Sequence, residues 1–421
     1  KLLKSKFILD FTKLSTSGAI GKSLYLLFTP LITRIYSPEQ FAQFALFTSL
    51  ITVIYPIYSG RYEFAILTAR KESQIKKLFY LTILLVLIFS CISFFIFFIL
   101  SNINSQFLNL KSLNLLIYLI PFGIAVEAFL NTLKLIASRY KKFLIISKSV
   151  LLNYFVKVLL CLLFGFFSKN YNGLIISNVI CTAITCIFLT KQLNLKIEFK
   201  IFRGLKSIFA TAKKFWKYPI YNSIPSVVDN ITYELPVFII SMIYAGNDLA
   251  NYAIVSTIFI YPIALFSSSL SQVNFSHISF KVRSGLYIFD DTKKLLFVLF
   301  IFIGLPCLIL FFYSRNLIPI IFGNQWNDAA IYLQILIPSF FIRIVASTLS
   351  NILISTNRNE LLGLWQVGSF ITSLVVLIFS AKNLNFFNFI LSLSFLNMVI
   401  YSVYLILIIY SAKNPRYNFK N

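Results

Sequence analysis

The sequence predicts an all-α polytopic membrane protein with about twelve transmembrane helices, arranged as two pseudo-symmetric six-helix bundles around a central cavity. Of its 421 residues, 58% are hydrophobic and 12% are charged, with a mean hydropathy of +0.84, whereas about a quarter of the residues of a soluble protein are charged. Long apolar segments recur along the chain, and basic residues cluster in alternate gaps between them. Lipid must therefore cover most of the surface.

Twelve segments approach the roughly 20 apolar residues that a helix needs to cross the hydrocarbon core. Polar residues interrupt the first, second and seventh of them more than the others. The predicted segments are 16–36, 42–60, 78–100, 113–136, 144–167, 171–190, 219–245, 249–273, 295–313, 329–353, 361–380 and 386–410.

The distribution of basic residues predicts which side of the membrane each gap faces. With the N-terminus in the cytoplasm, 29 of the 38 Lys and Arg residues fall in cytoplasmic gaps or termini, 5 fall outside and 4 lie within segments. Cytoplasmic loops are enriched in basic residues in just this way. The pattern favours an even number of helices and two cytoplasmic termini, and together with the resemblance described below it implies a bacterial inner membrane. It also explains the net charge of +25 without nucleic-acid binding, since basic loops are attracted to anionic lipid.

The two halves of the chain resemble each other. FAQFALFTSL (41–50) matches LANYAIVSTI (249–258), and YLIPF (118–122) is echoed by ILIPS (335–339) in the same order. Six helices per half predict a parallel repeat about an axis along the membrane normal, with substrate at the interface of the repeats. The predicted domains are an N-terminal six-helix lobe (1–190), a basic cytoplasmic linker (191–218) and a C-terminal six-helix lobe (219–421).

Polar residues recur at helical spacing within four of the apolar segments, two in each half. Ionisable residues in membrane helices usually face a cavity or mark a transport pathway, so the stripes predict the lining of a shared aqueous cavity. Proline kinks with buried ion pairs are the structural alternative. The stripes are Lys22, Tyr25, Thr29 and Thr33; Glu127, Asn131 and Lys134; Asn222, Ser226, Asp229 and Tyr233, with Glu234 nearby; and Arg343, Ser347 and Ser350.

The basic residues within the segments indicate anion binding. Lys148 and Lys157 are nine residues apart and point to opposite faces of their helix, so Lys157 is the better cavity residue and Lys148 can reach the interface. With Lys22 and Arg343, Lys157 could replace the hydration of a pyrophosphate through charge-assisted contacts.

Acidic residues suggest a coupling ion. Asp229 and Glu234 are predicted to bind H⁺ or Na⁺ and so couple transport to an ion gradient. The sequence contains no catalytic triad, metal-ligand cluster or phosphate-binding GxxxxGK[ST] motif. We therefore expect a secondary transporter without cofactors.

A series of motifs resembles the Wzx-type polysaccharide flippases of the multidrug/oligosaccharidyl-lipid/polysaccharide (MOP) exporter superfamily. In the first half these are LLFTPLITRIYSPEQFAQFALFTSL (26–50) and GRYEFAIL (60–67). The second half continues the series in matching order. Its motifs are FWKYPIYNSIPS (215–226), ELPVFIISMIYAGNDLANYAI (234–254), SQVNFSHIS (271–279) and IIFGNQWNDAAIYLQILIPSFF (320–341).

The resemblance implies a MATE-like fold and a defined substrate. It implies flipping of undecaprenyl-pyrophosphate-linked oligosaccharide, such as an O-antigen or capsule repeat unit, from the cytoplasmic to the periplasmic leaflet. Membrane lipid and other polysaccharide-assembly proteins are the implied partners. Arg61 and Glu63 match the family's Arg-Tyr-Glu pattern and are either a pair in the lumen or an interfacial clasp.

Two other functions remain open at this stage. A multidrug cation antiporter of the same superfamily would share the fold but bind cations. The basic residues Lys22, Lys157 and Arg343 are balanced in the sequence by three acids, which are Glu127, Asp229 and Glu234. A membrane glycosyltransferase or O-antigen polymerase would match in hydropathy, but the short predicted outer loops count against it.

Overall fold

The computed structural model describes residues 20–69, 71–102, 107–167, 172–195, 205–259, 278, 281–282, 284, 286–356 and 358–414. The regular elements within these ranges are helices, as the sequence predicts. They are α1 (20–35), α2 (Pro38–Ser59), α3 (Tyr62–Thr68), α4 (Glu72–Asn102), α5 (Leu119–Arg139), α6 (Phe143–Phe167), α7 (Gly173–Leu193), α8 (Leu205–Lys214), α9 (Ile224–Ile243), α10 (246–259), α11 (Phe289–Phe322), α12 (Asn327–Leu349), α13 (Asn351–Ser355), α14 (Asn359–Asn383) and α15 (Phe386–Lys413).

Short segments of other helical types join some of these helices. A 3₁₀ segment (Phe107–Tyr118) leads into α5, and another (Asn324–Trp326) joins α11 to α12. A π-helical turn (Pro219–Ser223) precedes α9. Proline at 219 leaves one backbone position without an N–H donor, and single-turn π segments are frequent at functional sites.

Ten helical segments within the described residues are long and apolar enough to cross a membrane. They coincide with ten of the twelve predicted segments. The predicted segments 16–36 and 249–273 overlap α1 and α10 and extend beyond the described residues. The most apolar stretches of α4 and α11 have mean hydropathies of 3.2 and 3.1, and only 11% and 17% of their residues are buried. Such exposed apolar helices need lipid as their solvent, so the chain is a multi-pass membrane protein.

The chain forms two compact units by packing. The first contains residues 1–28 and 35–242, and the second contains residues 29–34 and 243–421. Packing places α9 in the first unit, whereas the predicted lobes follow the sequence repeat and place it in the second half. Because packing and repeat symmetry are different criteria, the predicted lobe boundaries stay a prediction.

In the first unit α5 is the central helix. It packs against α2, α4 and α7, and α7 packs in turn against α6. The apolar core near one end of α5 is formed by Leu78, Leu133 and Leu189, all fully buried. This arrangement holds α5 and α6 in place, and both carry ionisable side chains into the unit.

The second unit is built around α12. This helix packs against α11 and α15, and α15 packs against α14. Trp326, at the start of α12, is fully buried. The motif FGxxW, in which Trp326 lies, therefore has a packing role in this unit.

Sequence signals define the ends of α2. Ser37 forms a capping box with Gln40, which satisfies free N–H groups of the first turn, and Pro38 occupies the first turn. The helix ends at Gly60, whose φ of 54° is left-handed, and Arg61 follows with a φ of 55°. Left-handed backbone is costly for a residue with a Cβ atom, so Arg61 is held by its surroundings.

Candidate functional site

Lys157 is a buried cation inside the first unit. It lies in α6 and is only 8% exposed. Its Nζ atom is 4.7 Å from the centre of the Tyr25 ring and 4.9 Å from that of Phe44, so two aromatic faces stabilise the ammonium group. Within the described part of the chain, no carboxylate lies at ion-pair distance from Lys157. Lys148 is exposed, which confirms that the two lysines of α6 differ in environment as predicted.

Two further lysines and one acid lie in the same region. Lys22 in α1 and Lys134 in α5 are close enough for their charges to repel. Cys181 lies within electrostatic range of Lys157 and Glu127, and Cys186 lies within range of Glu127 and Lys134, so these charges share one region of the first unit. We call Lys22, Lys134 and Lys157 the basic cluster. Three helices contribute to it, and among the described residues of this region its positive charges outnumber the carboxylate of Glu127.

The acid beside the basic cluster is held by its own helix. The Nδ2 atom of Asn131 donates to the Glu127 carboxylate at 3.1 Å and to the Glu127 carbonyl at 2.9 Å. This contact confirms the predicted polar face of α5. It fixes the carboxylate through a neutral amide, so the hydrogen bond adds no positive charge.

Arg61 and Glu63 form a second charged site in the first unit, at the break between α2 and α3. The Arg61 Nη1 atom lies 3.6 Å from the Glu63 Oε1 atom, with the two side chains 11% and 1% exposed. The guanidinium group also covers the rings of Tyr55 and Phe64, at 5.1 and 5.3 Å from their centres. Both carboxylate oxygens of Glu63 are buried without a hydrogen bond at normal length to the described residues.

The ionisation of Glu63 reflects this burial. Loss of solvent raises the pKa of Glu63 above its ordinary value, and the charge of Arg61 offsets part of that rise. The charged pair is thus incompletely satisfied where α2 meets α3. Both interpretations of the Arg-Tyr-Glu pattern, a pair in the lumen and an interfacial clasp, stay predictions.

Helix α9 lies antiparallel along α2 in the first unit, because residue numbers rise along one helix as their partners fall along the other. The acid Glu234 is engaged in this packing. The joining hydrogen bonds run from Ser49 Oγ to Glu234 Oε2 at 2.5 Å, from Asn230 Nδ2 to the Thr52 carbonyl at 2.6 Å, and from Ser223 Oγ to the Pro56 carbonyl at 3.2 Å.

The predicted polar stripe of α9 lies on a different side from these bonds. Asn222, Asp229 and Tyr233 are exposed in the structure, and Ser226 is half-buried. Asp229 and Glu234 therefore have different surroundings, since Glu234 is half-buried against α2. Their predicted role in coupling stays a prediction.

Arg343 lies in α12 of the second unit beside a group of aromatic residues. Its Cζ atom is 5.5 Å from the centre of the Tyr401 ring. Trp365 stacks on Tyr404 at 3.9 Å between ring centres and donates from Nε1 to the Ile400 carbonyl at 3.0 Å. The aromatic group supports the cation from α14 and α15.

The C-terminal part of the polar stripe of α1 is used in packing. Thr33 donates from Oγ1 to the Phe322 carbonyl at 3.0 Å, and its own carbonyl accepts hydrogen bonds from Trp326 Nε1, at 3.2 Å, and from Gln325. The last carbonyls of a helix lack partners within the helix, so the FGxxW motif caps the end of α1. Thr29 and Thr33 are fully buried. This part of the stripe stabilises the second unit.

The structure therefore brings together some of the predicted residues and separates others. Lys22, Lys157 and Glu127 lie in one region of the first unit. Within the same unit, the Arg61–Glu63 pair, Glu234 of α9 bonded to Ser49, and exposed Asp229 have other surroundings. Arg343 belongs to the second unit. Sequence reasoning missed Phe44 beneath Lys157, because an aromatic residue in an apolar run gives no distinguishing signal.

A sequence model of a protein family matches most of the chain. The family is described as polysaccharide biosynthesis protein, and the match covers residues 31–331. No curated protein matches the chain by sequence.

Solved structures of membrane transporters share the fold. An inward-facing multidrug resistance MATE family transporter of the MOP superfamily aligns with a TM-score of 0.71 at 14% identity, over 93% of this chain and 95% of its own. The lipid II flippase MurJ in an inward closed conformation aligns with a TM-score of 0.65 at 18% identity, over 96% and 90%. A MOP superfamily transporter from Pyrococcus furiosus, whose binding pocket is described as reversed in polarity, aligns with a TM-score of 0.54 at 13% identity, over 96% of both chains.

Proposed function

The chain belongs to the family of polysaccharide biosynthesis proteins, and from this premise we propose that it is a flippase for lipid-linked oligosaccharide. Its substrate is an undecaprenyl-pyrophosphate-linked repeat unit, which it moves from the cytoplasmic to the periplasmic leaflet by alternating access. The fold shared with MOP transporters supports a transport mechanism. Transport requires no covalent chemistry on the sugar, so the protein acts as a secondary transporter and not as an enzyme.

The observation that carries this proposal is the basic cluster in the first unit. A pyrophosphate moved bare through hydrocarbon would face a desolvation cost of tens of kcal/mol. Lys157 is buried against aromatic rings without a carboxylate at ion-pair distance among the described residues, so a phosphate oxygen can serve as its counter-charge. Charge-assisted hydrogen bonds are about twice as strong as neutral ones. The cluster therefore favours an anionic head group.

The same charge balance weighs against the cation antiporter. An excess of positive charge repels an organic cation, and Lys22, Lys134 and Lys157 outnumber Glu127 among the described residues of this region. The MATE transporter resembles the chain in fold, but at 14% identity it carries no argument about substrate.

The proposed function includes an orientation of the chain in the membrane and a source of energy for transport. In the proposed orientation, both termini and the 191–218 linker lie on the cytoplasmic side of a bacterial inner membrane, and the basic gaps support this orientation. An H⁺ or Na⁺ gradient drives the cycle through acidic residues of α9, for which exposed Asp229 and half-buried Glu234 are separate candidates. Charge-neutral Asp229→Asn and Glu234→Gln variants with unchanged gradient-driven transport would remove α9 from the coupling mechanism.

The decisive experiment measures the leaflet distribution of the lipid-linked oligosaccharide. The purified protein is reconstituted into liposomes that carry undecaprenyl-pyrophosphate-linked oligosaccharide, and a membrane-impermeant glycosidase then reports the fraction in the outer leaflet. We expect the protein to increase the rate of exchange between leaflets. A Lys157→Met protein is the matched control, because it removes the cation and retains a long side chain.

A cellular experiment separates the alternatives. Deletion of the gene is expected to accumulate the lipid-linked sugar on the cytoplasmic face. Normal flipping with an unpolymerised product would instead indicate a polymerase, and unchanged sugar distribution with increased sensitivity to cationic drugs would indicate an antiporter.

A further inference from the structure

A cavity with a mixed polar and apolar wall lies at one end of the first unit, and its lining residue Gln43 precedes Phe44, whose ring lies beside Lys157. The volume of the cavity is about 640 Å³. It forms where the α1–α2 turn, the 3₁₀ segment before α5 and the facing ends of α6 and α7 meet. This end is opposite to the basic gaps 61–77 and 191–217, so the predicted topology places the cavity on the outer side of the membrane.

A network of side-chain amides builds the floor of this cavity. Asn172 is 3% exposed, and its Nδ2 atom donates to the Gln40 carbonyl at 2.6 Å and to Gln43 Oε1 at 3.1 Å. Gln43 Nε2 donates in turn to the Ser112 carbonyl at 2.6 Å. Asn172 also caps α7 by accepting from the Leu174 N–H at 3.2 Å. These bonds join three parts of the chain, so the cavity is a built feature with a fixed shape.

The rim of the cavity carries side-chain groups that make no hydrogen bond to the described residues. The Glu39 carboxylate and the Asn114 amide are exposed, and neither side chain has a hydrogen bond to the described residues. Gln40 uses its Oε1 atom to accept from the Ser37 N–H, which leaves its amide N–H groups available. Asn114 has a φ of 47°, a left-handed conformation that asparagine tolerates better than most residues. The free groups are planar and combine donors with acceptors.

The chemistry of this lining matches uncharged sugar. Among the described residues, the cavity wall includes Glu39 and has no lysine or arginine, so the charge that these residues present disfavours an acidic sugar. Hydroxyl and acetamido groups both donate and accept hydrogen bonds, and sites built to bond such groups discriminate strongly against ligands that lack them.

We propose that this cavity is a glycan subsite that binds uncharged sugar residues of the substrate at the outer side of the first unit. The inference rests on the proposed function only in that the substrate carries a glycan. It separates two tasks within one unit: the basic cluster binds the anionic head group, and the amide-lined cavity holds sugar.

Binding of free oligosaccharides tests the proposal directly. The full chain in lipid nanodiscs is examined by saturation-transfer NMR with lipid-free fragments, two to six sugars long, released from the surface polysaccharide of the source cell. We expect transfer to uncharged fragments and none to fragments that contain uronic acid. A Glu39→Ala/Asn114→Gly double variant should weaken binding at least tenfold, because it removes both free groups while glycine retains the left-handed backbone.

The chain offers a closely matched control. Glu72 also lies in the first turn of a helix, and Asn194 also has a left-handed φ, of 54°, but both lie at the other end of the unit. A Glu72→Ala/Asn194→Gly variant should bind fragments as the unmodified protein does. The subsite would be overturned if the two double variants bound fragments equally or if no fragment showed transfer. Displacement of the sugar by inorganic pyrophosphate would also overturn it.

Transport assays separate this inference from the proposed function. Liposomes carry undecaprenyl pyrophosphate with either one sugar or a complete oligosaccharide. The Glu39→Ala/Asn114→Gly variant should slow only the longer substrate, by about tenfold, and equal slowing of both lipids would contradict the subsite. If the unmodified protein moves neither lipid, the proposed function fails, while the subsite is still decided by the NMR result.

Discussion

Two buried cations in the first unit differ in one respect. Lys157 and Arg61 each lie against two aromatic rings, at 4.7–4.9 Å and 5.1–5.3 Å from the ring centres. Arg61 has the Glu63 carboxylate 3.6 Å away, whereas Lys157 has none at ion-pair distance among the described residues. The Arg61 site therefore contains its own counter-charge, and we call it the closed site. The Lys157 site has no counter-charge among the described residues and can accept an anion, and we call it the open site. Burial alone therefore does not distinguish the two cations, whereas the presence of a counter-charge does, and the variants below test whether this difference separates a structural from a binding role.

The largest expected effect is a loss of stability when Arg61, the cation of the closed site, is removed. An Arg61→Met variant leaves the buried Glu63 carboxylate without its partner, which should cost about 3–5 kcal/mol of unfolding free energy at pH 8. Reversible denaturation in detergent measures this loss. At pH 5 the cost should shrink, because Glu63 can take up a proton.

Two matched variants sharpen this result. Arg61→Met combined with Glu63→Met should recover most of the stability, since no charge is left buried. Lys157→Met should leave stability unchanged or increase it, because it strands no carboxylate. Equal destabilisation by Arg61→Met and Lys157→Met would mean that the two sites do not differ as the geometry indicates.

The second effect concerns transport. Lys157→Met removes a charged donor, and hydrogen bonds to charged groups contribute about 1.5–3 kcal/mol. Apparent affinity for the pyrophosphate-linked lipid should therefore fall about tenfold to a hundredfold in the liposome assay. Lys157→Arg should retain part of the activity, because it keeps the charge.

Lys148 provides the control for this variant on the same helix. It is exposed, so Lys148→Met should leave affinity unchanged. Wild-type affinity in the Lys157→Met protein would show that the open cation does not contact the substrate.

The third expected effect is a pH dependence of the stability, caused by Glu63 in the closed site. Burial raises the pKa of Glu63 above its unfolded value of about 4.3. The native state then binds the proton of Glu63 more tightly than the unfolded state does. The stabilisation of the folded protein by this proton is complete below the unfolded pKa and is lost as pH rises through the native pKa. Relative to Glu63→Gln, the wild-type protein should lose up to about 1.4 kcal/mol of stability per pH unit across that window. Denaturation from pH 4 to 8 tests this, and a relative stability that rises with pH would contradict it.

The difference between the sites also shows what the sequence could predict. Hydropathy located ten membrane helices to within a few residues at most of their ends, because length and apolar character are properties of each segment. Helical spacing separated Lys148 from Lys157 correctly, since it depends only on the geometry of one helix. Similar reasoning placed Glu127 and Asn131 on one face, and they are hydrogen-bonded.

Contacts between distant segments were beyond such reasoning. Thr33 was predicted to line a cavity, but its carbonyl is capped by Trp326, almost 300 positions later. Glu234 was predicted near the stripe of Asp229, but it accepts from Ser49 on α2. Spacing within a helix gives the direction of a side chain relative to its own axis, and a partner on another helix is set by tertiary packing.

The smallest effect compares the aromatic rings of the two sites. Phe44 lies beside Lys157 and Phe64 beside Arg61, and both phenylalanines are half-buried. A cation–π contact contributes about 0.5–1 kcal/mol at exposed sites and about 2 kcal/mol when desolvated. Because Phe44 and Tyr25 are the described groups that stabilise the Lys157 ammonium, Phe44→Leu should lower the unfolding free energy by about 1–2 kcal/mol. Phe64→Leu should cost about 0.5–1 kcal/mol, since the carboxylate of Glu63 still stabilises Arg61. The two variants lose the same atoms, so their difference isolates the role of the counter-charge, and a larger loss for Phe64→Leu would reverse the assignment of the open and closed sites.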